Sequence, residues 1–208
     1  VTSGVAADIT GYSKNDLAID FADPAGPSPV TLSSATPSDD ATGVVPTSNI
    51  VLTFSENIGW DTGSVYLKKS SDDTTVATFN SASAAGLATI STTQLTLNPS
   101  IDLDWATGYY LTIDASAIMS TTTAGTFAGI SSKTDLNFTT KAQPTLTWSG
   151  TSFTEASAND GSTTDVLTAT LTGDTFTGSN TDTFTGVVTN VPTGMTAVVT
   201  RTSSTTVT

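Results

Sequence analysis

The chain has no histidine and no cysteine in its 208 residues. The first absence removes the side chain that most often serves as a general base near neutral pH. The second removes disulfides, thiolate nucleophiles and the softest metal ligand; it suits secreted bacterial proteins that avoid disulfides, and cytosolic proteins as well. Basic residues are also scarce, with 6 Lys+Arg against 19 Asp+Glu, a net charge of −13 and a pI near 4.1. Phosphate backbones need a lysine and arginine footprint, so nucleic acid is excluded as a partner. No window reaches the length of an apolar membrane span. Val1 opens without a charged n-region or a hydrophobic h-region, so an exported protein with this start is expected to be a processed form or an internal fragment.

What is present is threonine, serine and valine at a mean hydropathy of +0.05. Threonine is β-branched for the backbone and polar for the water, which suits the solvent face of a pleated sheet. The composition predicts a folded all-β chain. The acidic excess is compatible with calcium, which prefers hard carboxylate oxygens, and equally with solubility alone.

Three segments emerge. Residues 1–29 hold one strand, Leu17-Ala18-Ile19-Asp20-Phe21, then a linker in which Pro24, Gly26, Pro27 and Pro29 cannot hold a central strand or a helix. Residues 30–141 read as a complete module. A turn-rich acidic lead-in, Pro37 to Asn49, precedes a strand in which Ile50, Leu52 and Phe54 share one face. Further strands are predicted at 64–69, 74–79, 87–90, 94–97, 109–113 and 136–139, with turns at 57–63, 70–73, 98–99 and 107–108 and a short helical turn around 115–119. Short strands at this spacing predict a β-sandwich with Greek-key connections. Residues 142–208 carry strands at 145–148, 166–171, 184–188, 197–201 and 205–207. A closed sandwich takes about seven strands, so this module reads as a second, partial one.

Residues 36–140 resemble the bacterial Ig-like domain of surface-layer proteins and large adhesins. The resemblance rests on Pro37-Ser38-Asp39-Asp40, Gly43-Val44-Val45-Pro46, Asn49 to Glu56, Gln94 to Leu97, Tyr109 to Ile113 and Asp135 to Thr139. It departs from the family near 118–130, where Ser120-Thr121-Thr122-Thr123-Ala124-Gly125 stands in place of an Ala-Gly-Asn loop. Phe153 to Ser162 with Leu171 to Phe176, and Gly11 to Pro24, resemble repeats of very large secreted bacterial proteins. The resemblance implies an extracellular, multi-module protein and no catalytic residues.

The residues themselves agree. Ser and Thr are abundant, but no histidine is there to activate one, and Lys14, Lys68, Lys69, Lys133 and Lys141 lack a helical Ser-x-x-Lys context. Glu56 and Glu155 are the only glutamates, a poor basis for paired-carboxylate hydrolysis. The chain is therefore expected not to be an enzyme. Asp39, Asp40, Glu155 and Asp160 are the candidate calcium ligands at module junctions, while Asp72-Asp73 reads as a turn. No EF-hand or Gly-Gly-x-Gly-x-Asp spacing supports them. Trp60, Trp105, Tyr109 and Tyr110 form either a sugar-stacking platform or, the preferred reading, plugs at the sandwich ends with one tyrosine on the surface.

The expected protein is a structural, extracellular building block of a surface layer, filament or adhesin stalk. It is expected to self-associate, with Leu17, Ile19 and Phe21 as the candidate assembly strand; that strand completes a sheet of a neighbouring copy, pairs within its own chain, or marks where a longer repeat protein was cut. The alternative is an adhesin module recognising glycan or another surface.

Overall fold

The computed structural model describes residues 27–83, 85–154, 157, 163, 165–184, 186–191, 193 and 196–208. The predicted strand Leu17–Phe21 and the candidate ligands Glu155 and Asp160 lie outside the described residues.

Eleven strands build the first part: β1 (Leu32–Thr36), β2 (Ala41–Val44), β3 (Ile50–Phe54), β4 (Ile58–Trp60), β5 (Val65–Lys69), β6 (Thr75–Phe79), β7 (Ala88–Ser91), β8 (Gln94–Leu97), β9 (Gly108–Ile113), β10 (Ile118–Ser120) and β11 (Asn137–Thr140). One sheet runs β1-β3-β8-β7 and the other β2-β11-β9-β5-β6, with β10-β4 as a separate pair. Consecutive strands repeatedly leave one sheet for the other, which is the Greek-key pattern of an Ig-like sandwich.

Period-two patterning explains the core. In β3, Ile50, Leu52 and Phe54 are buried while Val51 and Thr53 are half-buried. Ile50 stands opposite Leu97 and Leu52 opposite Leu95, so apolar side chains meet across the ladder. In the facing sheet Leu67 pairs with Leu111 and Val65 with Ile113. Phe54 meets Phe127 edge-on at 5.4 Å, and Tyr109 stacks with Phe138 at 5.8 Å. All these residues belong to one continuous buried cluster.

The register also fixes where the chain enters and leaves. Val30 bridges Phe127, and Ile113 bridges Ile130, so β1 begins at the pole where β9 ends. β11 runs parallel to β2 and antiparallel to β9, which places Thr140 beside Val44 at the opposite pole. Entry and exit lie at opposite ends of the sandwich.

Four strands differ from expectation. β1 and β2 lie in or beside the lead-in that reads as turns, because their burial is partial and their residues are small and polar. The expected turn at 57–63 contains β4, and the expected helical turn at 115–119 overlaps β10; these two short segments pair with each other, a long-range contact that no local pattern announces.

Beyond Lys141 the chain forms β12 (Thr145–Trp148), β13 (Ala169–Thr172), β14 (Thr183–Phe184), β15 (Val199–Thr200) and β16 (Thr206–Val207). They make a β12-β13-β16 sheet and a β14-β15 pair. Among the described residues of this part only Ala169 and Val207 are buried hydrophobics. Among the described residues the strands expected at 166–171, 184–188 and 197–201 are accordingly shorter, and Val166, Val187, Val188 and Val198 stay exposed.

Candidate functional site

The exit pole is the most highly organised polar region of the sandwich. Tyr109 opens β9 and drops into the core, where its hydroxyl accepts the Asp104 N–H at 2.9 Å. This ties the loop before β9 to the strand in the manner of the tyrosine corner of Ig-like folds. Burial pushes the Tyr109 hydroxyl pKa up. Thr140, itself buried, accepts the Thr107 N–H at 2.9 Å and donates to the Asp104 carbonyl at 2.6 Å. Lys69 reaches the Asp104 carboxylate at 2.6 Å, and that hydrogen bond raises its pKa.

Lys141 is the hub at this pole. Its N–H donates to the Val44 carbonyl and its carbonyl accepts the Ala106 N–H, both at 2.9 Å. Its Nζ lies 5.5 Å from the centroid of the Trp105 ring and 3.1 Å from Asp174, in the loop after β13. The Asp174 carboxyl is held below its ordinary range, first by the Thr175 N–H and then by Lys141. One side chain therefore joins the sandwich to the segment that follows it.

At the entry pole the Glu56 carboxylate accepts hydrogen bonds from Ser120, from Thr123 at 2.9 Å and from Thr122 at 3.1 Å. The Ser120 and Thr123 hydroxyls lead the causes that lower its pKa. Gly125 belongs to the same loop, and a Cβ there would overlap the Ser28 carbonyl oxygen, so only glycine admits the incoming chain. The loop that departs from the family pattern is thus structural, with three hydroxyls fastening it to Glu56.

Asp39 and Asp40 do come together. Asp39 accepts both the backbone and side-chain N–H of Asn137 at 3.0 Å, and Asp40 accepts the side-chain N–H at 3.1 Å. They clamp β2 to β11. Among the described residues no group of three or more acidic, histidine or cysteine side chains converges on a point. Asp72 accepts the Thr74 N–H at 3.0 Å, the turn role expected of it. Asp73 binds the Tyr110 hydroxyl at 2.9 Å and Lys133 at 3.3 Å.

The four rings take separate places. Tyr109 is in the core and Trp60 packs against it. Tyr110 points to the other face of β9 yet is only 5% exposed, so the expected surface tyrosine is buried after all; the Asp73 hydrogen bond satisfies its hydroxyl there. Trp105 is exposed beneath Lys141. An open groove of about 380 Å³ runs past Tyr66, Lys68, Asp114 and Gly129. Its Tyr66 hydroxyl donates to Asp114 at 3.2 Å, and the groove gathers no nucleophile with a base.

The family model described as "Bacterial Ig-like domain" matches residues 27–140, more than half of the chain. The chain belongs to the bacterial Ig-like domain family. No curated protein matches the sequence. Among solved structures it is similar to the crystal structure of CopC from Methylosinus trichosporium OB3b, at 16% sequence identity and a TM-score of 0.36, covering 54% of this chain and 94% of that one. A likeness that remote says nothing about ligands or activity. Membership of the bacterial Ig-like domain family is consistent with a non-enzymatic role.

Glu56, Ser120, Thr122, Thr123, Lys141 and Asp174 escaped the sequence reading as working residues. Glu56 sits in a motif of the family, and Lys141 stands just before the Gln143-Pro144 break. Their partners are far away in sequence, so only the fold pairs them.

Proposed function

We propose that this Ig-like chain is a structural part of a bacterial surface or secreted protein: a building block of a surface layer, extracellular filament or adhesin stalk. The observation that carries the reading is the placement of entry and exit at opposite poles of the sandwich. A module threaded this way adds length along one axis, which is what a spacer in a string of modules requires. The Lys141 bridge to Asp174 supports a defined connection to the next unit. Small-angle scattering of the monomeric chain in dilute solution tests the reading. An elongated particle, with the second segment beyond the exit pole, supports it; a compact particle with the segment folded along the sandwich overturns it.

Residues 30–141 and 142–208 are taken as separate modules in this proposal. Calcium at Asp39 and Asp40 is a further part of it, resting on two adjacent exposed carboxylates of the kind calcium takes. A rise in melting temperature with millimolar calcium that Asp39→Asn removes supports the assignment. A melting curve indifferent to calcium and chelator overturns it.

A further inference from the structure

The groove beside β5 holds a cation without a counter-ion. Val65 and Leu67 are buried in the core, so Tyr66 and Lys68 stand on the outer face of the sheet. Across the ladder Thr112 is paired with Tyr66, and Tyr110 with Lys68. Among the described basic side chains, Lys69, Lys133 and Lys141 each hold a carboxylate, and Arg201 donates to Asn180. Lys68 makes no such bond to a described residue; its Nζ stands 5.6 Å from the centroid of the Tyr66 ring. Asp73, which the Tyr110 hydroxyl reaches from the neighbouring strand, also holds Lys133 and is already taken. In a chain of net charge −13, a lysine left open beside an aromatic ring calls for an anion from outside.

The wall of the groove is backbone. Ile113 and Ile130 exchange main-chain hydrogen bonds at 2.8 and 2.9 Å, which lays residues 128–131 along the end of β9. Gly129 has a positive φ, and a Cβ there would come within 2.5 Å of the Ile113 carbonyl oxygen, so glycine alone permits this approach. Asp114 stands at the far end. Its Oδ2 accepts the Ser64 N–H at 3.0 Å and the Tyr66 hydroxyl at 3.2 Å, which fixes the carboxylate. Its Oδ1 takes no hydrogen bond from a described residue. The Asp114 N–H donates to the Ser64 carbonyl, so Asp114 is level with Ser64, four residues from Lys68 and about 13 Å away at strand rise.

At about 380 Å³ the groove falls within the roughly 300–1,000 Å³ of small-ligand sites, and its length is that of a disaccharide. We propose that it binds a saccharide carrying a carboxylate, a uronic-acid sugar. The half-buried Tyr66 ring offers an apolar face to the C–H side of a sugar ring. The Lys68 amine donates to the sugar carboxylate in a charge-assisted hydrogen bond. The open Oδ1 of Asp114 accepts from sugar hydroxyls at the other end. Cation and carboxylate therefore orient the ligand, acid group toward Lys68 and hydroxyls toward Asp114. With no nucleophile paired to a base, the groove holds the sugar and does not cleave it. The site goes beyond the spacer reading and does not depend on it, since a module adds length with or without a saccharide on its outer face.

Amide NMR of the isotope-labelled full chain tests this, by titration with disaccharides of glucuronic, galacturonic and mannuronic acid and with their neutral hexose counterparts. At least one uronic disaccharide should produce saturable shifts confined to residues 64–68, 112–115 and 128–131. Its neutral counterpart should bind at least about tenfold more weakly, the loss of one charge-assisted contact. Lys68→Gln removes no ion pair, so it should leave the melting temperature unchanged while erasing that preference. Tyr66→Leu should weaken acidic and neutral sugars alike, because it removes the ring and keeps an apolar side chain. Absence of saturable shifts with all three uronic disaccharides overturns the proposal. So do shifts scattered over the surface, equal affinity for the neutral sugars, or a preference that survives Lys68→Gln. An elongated particle in scattering that binds none of these sugars removes the saccharide site alone and leaves the spacer reading standing.

Discussion

Residues 30–141 and 142–208 are written in the same alphabet of threonine, serine, valine and glycine, yet they fare oppositely in burial. Of the large hydrophobics that stand exposed among the described residues, three (Val45, Ile101 and Trp105) lie in the sandwich and seven in the shorter part after it. The sandwich closes because each sheet offers the other a full apolar face; Leu52, Leu67, Leu95 and Leu111 are all at 0% exposure. The later part has side chains of the same kind, Leu146, Trp148 and Val166 among them, and among the described residues they stay exposed. Strand-forming residues alone do not make a core. A core needs a second face in register with the first.

The sharpest way to break this comparison is to separate the parts. A fragment of residues 27–141 should melt in a single cooperative transition by circular dichroism, whereas residues 142–208 alone should show none. Cooperative melting of the second fragment would erase the contrast. Point substitutions probe the same difference within the whole chain. Leu52→Asp places an unpaired carboxylate in a fully buried site and should cost at least about 4 kcal/mol, read by urea denaturation. Val166→Asp, at a position 67% exposed, should stay within about 0.5 kcal/mol.

Smaller effects sharpen the picture of the poles. Tyr109→Phe keeps the ring in the core but leaves the Asp104 N–H without its acceptor, and should cost about 1–2 kcal/mol. A loss below about 0.3 kcal/mol would mean that water replaces the hydroxyl. The entry pole is open to a pH test. Glu56 has a folded-state pKa below its ordinary 4.5, so its contribution is present above that value and is lost as pH falls through the depressed one. Asp72, Asp73 and Asp174 shift the same way, so the melting temperature should hold above about pH 5 and fall in acid. Glu56→Gln should flatten part of that fall, and an unchanged acid limb would remove Glu56 from the account. The smallest effect belongs to the junction. Lys141→Ala gives up an exposed ion pair and a ring contact, about 1 kcal/mol or less, and the loss should shrink in high salt.

Much of the sandwich was legible because its central strands alternate cleanly. Residues 50–54 and 94–97 read as strands from period alone, and the residues expected inside them are buried. Ile58-Gly59-Trp60 was not legible, being three residues with a glycine at the centre, held by long-range pairing with Ile118–Ser120 and by the Ile58 N–H donating to the Thr92 carbonyl. β2 is equally silent in sequence, since it is fixed by a parallel partner almost a hundred residues later and by Asp39 reaching Asn137. Tyr110 shows the limit of alternation: period two gives the face of a side chain but not whether a loop covers that face. In the later part, residues 145–148 form a strand as read, while of 184–188 only Phe184 is strand among the described residues, because β propensity without burial is a weak determinant.

Opposite-pole threading has a mechanical consequence. β2 belongs to the entering part of the chain and β11 to the leaving part, and the two lie parallel, side by side. A pull on the two ends drags β2 toward one pole and β11 toward the other, along their shared length. The hydrogen bonds between them, and those from Asp39 and Asp40 to Asn137, lie across that direction and carry the load together instead of parting one after another. The β1–β3 ladder is loaded in the same sense, because β1 enters along its own axis. Tension on this module is met as shear, the geometry in which a β-ladder yields last.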